Sequence, residues 1–90
     1  MKPQEKIQLM DKVLRELDDV INSQTSVLKK IAQIEADNIN LDDKVLADKL
    51  PDIHEHVDSA LTATTELQEK FREIHDDFVA KNPIQEDPTA

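Results

Sequence analysis

The stretch IQLMDKVLRELDDVINSQTSVLKKIAQI, from Ile7 to Ile34, decides the fold. Ile7, Leu14, Ile21 and Leu28 recur every seven residues. Met10, Leu17 and Ile31 follow three residues after members of that series, with Gln24 filling the remaining place. These are the a and d positions of a heptad. A third apolar series, Val13, Val20, Val27 and Ile34, occupies g. On an α-helix such spacing gathers all three rows onto one face. Pro3 suits a first helical turn, where its missing N–H is not needed. The spacing predicts a helix over about residues 3–35.

Outward from this stretch the pattern breaks at residues 36–44, where Asn and Asp favour turns and caps. A second regular run follows. Leu46, Ile53, Ala60, Leu67 and Ile74 form one series, and Leu50, Val57, Thr64, Phe71 and Phe78 the other. Two readings of the middle compete. In one, a single kinked helix covers about residues 41–81 and makes a two-helix hairpin. In the other, residues 36–50 are a connector holding a short helix capped by Asn40, and the second long helix covers 51–81 from Pro51. The matched lengths of 3–35 and 51–81 favour the second. An antiparallel pairing would set Gln24 against Thr64 and Met10 against Phe78. Residues 82–90, with two prolines, read as a disordered tail.

The expected fold class is therefore all-α: one domain over residues 1–81, an antiparallel long-helix hairpin with a short connector helix, pairing into a dimeric four-helix bundle. Dimerisation follows from the g row. A two-helix seam covers a and d only. Val13, Val20, Val27 and Ile34 would remain partly wet, so they are the candidate dimer interface, with a second copy of the chain as partner.

Composition excludes more than it assigns. The chain of 90 residues holds no Cys and no Gly. Disulfides, thiolate metal sites, P-loops, dinucleotide-binding turns and EF-hand loops are thereby removed. No apolar run is long enough for a membrane span or a signal peptide, and a cytoplasmic setting is expected. The net charge of -9 opposes direct binding of nucleic acid or of an anionic membrane. Residues 1–35 are neutral, so residues 36–90 carry the whole excess. Asp37, Asp42, Asp43, Asp48, Asp52, Glu55 and Asp58 make its densest part and are the candidate acidic partner face.

The histidines do not make a metal site on this reading. His54 and His56 are two residues apart and point to different sides of a helix, and no third ligand lies at a suitable spacing. His54 and His75 fall at e, beside the seam. Gln24 and Thr64 read as polar core residues that fix register. Asp11–Arg15, Glu66–Lys70 and Asp77–Lys81 are expected i,i+4 ion pairs. No nucleophile or acid–base pair has an evident pocket, so neither enzymatic activity nor a cofactor is expected. Small helical hairpins of the type VII secretion class are similar in size and acidity. Their Trp-x-Gly turn has no counterpart here, because the chain lacks both residues.

The expected function is that of a small acidic interaction module of adaptor or scaffold type, binding itself and an unidentified protein partner of basic character. The alternative is a sequestering inhibitor of a basic or nucleic-acid-binding protein, such as an antitoxin-like protein, an anti-repressor or a DNA mimic. A metal-binding or enzymatic bundle is a third class, marked by inward-facing carboxylates or histidines.

Overall fold

The computed structural model describes residues 1–83 and contains two helices, α1 (Pro3–Leu41) and α2 (Lys44–Lys81). They pack side by side as an antiparallel hairpin within extents of 67 × 22 × 17 Å. Pro3 stands at the start of α1, as its lack of an N–H allows.

The expected connector over residues 36–50, with its short helix, is not formed. α1 runs on to Leu41, only Asp42 and Asp43 lie between the helices, and Asn40 is inside α1. The hairpin with a long second helix is the correct alternative. Its turn is built by polar side chains. Asp42 takes the left-handed conformation (φ 55°), and its N–H donates to the Asn38 carbonyl at 2.7 Å. The Asn38 side chain then clasps Asp43 twice: its Oδ1 accepts from the Asp43 N–H at 2.8 Å and its Nδ2 donates to the Asp43 carbonyl at 3.1 Å. The Asp43 carboxylate caps α2 by accepting from the Leu46 N–H at 2.9 Å. The turn thus satisfies the Asn38 carbonyl at the end of α1 and the Leu46 N–H at the start of α2.

Pro51 sits inside α2 without ending it. It is exposed, beside a surface hollow lined by Glu35, Asn38, Leu46, Ala47 and Leu50. The Ala47 carbonyl that loses its helical donor is therefore next to water, which lowers the cost of an interior proline. At the other end Asn82 closes α2, donating from both its backbone N–H and its side chain to the Phe78 carbonyl. Of the tail expected at 82–90, residues 84–90 lie outside the described residues.

The core is narrow. Met10, Leu14, Ile31 and Leu50 are buried to 7% exposure. Phe71 and Phe78 are half-buried, and the Lys6 ammonium lies 4.5 Å from the centre of the Phe78 ring. The a and d rows of α1 face α2 as the heptads imply. The phase of α2 differs from expectation. Leu50, Val57, Thr64, Phe71 and Phe78 do face α1, but their companions across the seam are His54, Leu61, Gln68 and His75. Ile53, Ala60, Leu67 and Ile74 are left exposed. Three polar members of the inner row find hydrogen-bonding or ionic partners on α1, which lowers the penalty for placing them at a seam. The accessible surface of 7037 Å² exceeds the roughly 5,400 Å² of a globular chain of this mass, as an elongated two-helix rod requires.

Candidate functional site

The seam has two flanks of opposite chemistry. On the first, α1 presents acids to the inner row of α2. Glu35 Oε1 lies 2.8 Å from His54 Nδ1, Asp18 accepts from Gln68, and Asp11 Oδ1 lies 2.8 Å from His75 Nε2. The last contact is close enough for an ion pair but off the line of a hydrogen bond. His75 also meets its neighbour Asp76 through Nδ1 at 3.0 Å. That hydrogen bond raises the His75 pKa above its ordinary 6.5; burial opposes the shift, and the Asp11 carboxylate adds to it.

The second flank is apolar. Val13 and Phe71 line one hollow together with Met1, Lys6, Leu9 and Met10, which places the valine row of α1 on the phenylalanine side of the seam. On α2, residues 67 and 74 flank Phe71 on the side away from Gln68 and His75, as helical spacing requires. The row Ile53, Ala60, Leu67 and Ile74 therefore lies beside Val13, Val20, Val27 and Ile34. Val13 is half-buried. Val20, Val27 and Ile34 are 43–45% exposed, and Ile53, Leu67 and Ile74 are 45–55% exposed. The two rows form one strip about 30 Å long from Val13 to Ile34. Its α2 half was missed by sequence reasoning, which had placed those residues in the seam.

The candidate acidic residues do not gather on one surface. Asp37, Asp42, Asp43, Asp48, Asp52, Glu55 and Asp58 are all exposed. Asp43 is occupied as the α2 cap, Asp37 accepts from the Gln33 side chain, and Asp48 lies 3.7 Å from Lys49. Asp48, Asp52 and Glu55 instead begin a longer ridge along the back of α2. It continues through Ser59, Thr62, Glu66, Glu69 and Glu73 to Asp76, with every member exposed and no basic residue among them. The three- and four-residue spacing of Asp48, Asp52 and Glu55, resumed in phase by Glu66, Glu69, Glu73 and Asp76, is the signal that could have revealed it.

Of the three expected i,i+4 pairs, Asp77–Lys81 is present at 3.0 Å, while Asp11 turns to His75. Gln24 and Thr64 are both half-buried near the middle of the rod. The Thr64 hydroxyl donates to the Ala60 carbonyl at 2.7 Å, and the buried Gln24 Oε1 lacks a partner. Among the described residues, no three His, Asp or Glu side chains converge as a metal-ligating group, and no helix is long and apolar enough to cross a membrane. The surface hollows are shallow and lie at the ends and flanks of the rod. No protein-family model, curated protein or solved structure matches the chain.

Proposed function

We propose that the chain is a self-associating helical interaction module. The observation that carries this reading is the uncovered strip on one flank of the hairpin, to which both helices contribute at heptad spacing. Monomeric proteins seldom leave so long a row of aliphatic side chains open to water. Covering it with the same strip of a second hairpin makes a four-helix bundle. Sedimentation equilibrium tests this. A dimer is expected, and a single 10.3 kDa species at high concentration would overturn it.

The acidic ridge favours a second element of function, the binding or sequestration of a basic protein surface. The ridge runs along the back of α2, facing away from both the seam and the apolar strip, so self-association leaves it free. Replacing Glu66, Glu69 and Glu73 with Gln should remove partners that the wild-type chain captures at low salt but not at high salt. An unchanged set of captured proteins would rule the ridge out.

A further inference from the structure

We infer that the occupant of the apolar strip is a second copy lying antiparallel to the first, with the two Asp42-Asp43 turns at opposite ends of the bundle. The inference rests on the self-association reading and adds the symmetry. The strip is self-complementary about its own middle. Its α1 half is centred between Val20 and Val27, its α2 half between Ala60 and Leu67. The cross-seam pairs Asp18–Gln68 and Asp11–His75 put those two midpoints at nearly the same height. A two-fold axis there, perpendicular to the rod, sets Val20 against Val27, Val13 against Ile34, Ala60 against Leu67 and Ile53 against Ile74. Such a contact is isologous and closed.

One competing arrangement keeps the two turns together, with the axis along the rod. It would place Leu41 against Leu46 of the other copy, which is favourable. It would also put Val27 and Ala60 of both copies into one layer and Ile34 and Ile53 of both into the next. Long helices bridge a thin layer beside a thick one only with a void or strain. The antiparallel arrangement spreads the small Ala60 against the larger Leu67.

The ends decide in the same direction. Residues 36–50 at the turn hold four acids and two lysines. The open end, residues 1–9 and 75–83, holds Lys2, Lys6 and Lys81 against Glu5, Asp76 and Asp77, with Lys81 paired to Asp77, and is balanced in side-chain charge. Turns together would stack the two acidic ends and also face Lys6 with Lys81. The antiparallel arrangement instead separates the two acidic turns and places each beside the other copy's charge-balanced open end. It also makes the two α2 helices neighbours. Their acidic ridges then run along the same side of the bundle at outer corners, more than ~20 Å apart and beyond the ~8 Å screening length. A basic partner would meet two parallel tracks of carboxylates.

The absence of Cys allows clean labelling. Asn40 and Gln4 are exposed, near the turn and the open end respectively, and neither lies on the strip. Spin labels on Asn40→Cys should be roughly 50 Å apart in the dimer, from the helical rise on either side of the axis. Mixing Asn40→Cys carrying a donor dye with Gln4→Cys carrying an acceptor should give efficient intermolecular energy transfer. Spin labels at Asn40→Cys within ~25 Å of each other, in a species that sediments as a dimer, would overturn the antiparallel arrangement and leave self-association standing. A labelled chain that stays helical and sediments as a monomer would remove both.

Discussion

The two flanks of the hairpin border the same seam and carry opposite solutions to it. On one, Glu35, Asp18 and Asp11 reach across to His54, Gln68 and His75, so the edge ends in polar groups that water can finish solvating. On the other, the valine row of α1 meets the isoleucine and leucine row of α2, and nothing polar closes it. The difference shows where the hairpin is complete and where it is open. Polar rim contacts orient the helices and add little energy, because exposed pairs are worth about 0–1 kcal/mol. Aliphatic side chains at half exposure leave a favourable burial unmade.

The largest effect expected is at the seam that both flanks share. Leu14→Ala should lower unfolding stability by about 2–5 kcal/mol in urea melts, since a buried side chain is deleted from a narrow core. Next comes the apolar flank. Val27→Asp should weaken dimerisation by at least ~100-fold in sedimentation equilibrium, because a carboxylate would be buried twice at the two-fold interface. Its counterpart on the polar flank, Asp18→Ala, should leave the dimer intact and change stability by less than ~1 kcal/mol. Equal effects from these two variants would erase the distinction between the flanks.

A smaller effect is expected at the turn. Asp43→Ala should cost about 1 kcal/mol in the same melts through loss of the α2 cap. Charge reversal at Asp43 is consequently a poor probe of partner binding, and Asp48 or Glu55 is the cleaner choice. The smallest effect belongs to the polar flank and depends on pH. The His75 pKa is raised on folding, by the Asp76 hydrogen bond foremost. Its contribution to stability is therefore full below the ordinary value of 6.5 and is lost as pH rises through the raised folded value. His75→Gln should flatten that part of the stability–pH curve. An unchanged curve would mean that the contacts to Asp76 and Asp11 carry no net energy in solution.

Much of this was legible in the sequence. The heptads of α1 located its inner face, and the antiparallel hairpin followed from two runs of similar length. The phase of α2 was not legible. Ile53, Leu67 and Ile74 are apolar while His54, Gln68 and His75 are not, so ranking by hydrophobicity selects the wrong row. Nor does the local pattern show that His54, Gln68 and His75 meet Glu35, Asp18 and Asp11 on the other helix, a long-range fact. The turn was hidden for a related reason. Asn38 and Asp43 read as ordinary helix breakers, and only their mutual hydrogen bonds make a two-residue connection sufficient. Pro51 misled because its side of α2 is open to solvent, where a lost helical hydrogen bond is tolerable. The valine row was read correctly as a surplus, but its partner row on α2 became visible only with the phase.

The apolar flank is expected to be covered in solution, and methyl accessibility measures that directly. With a soluble nitroxide added to the concentrated wild-type chain, methyl signals of Val20, Val27, Ile34, Ile53, Leu67 and Ile74 should broaden little more than those of the buried Leu14 and Ile31. Ile39, at 81% exposure, should broaden strongly and serves as the internal reference. Broadening of the six flank residues well above that of the core and approaching that of Ile39, in the concentrated sample, would contradict it.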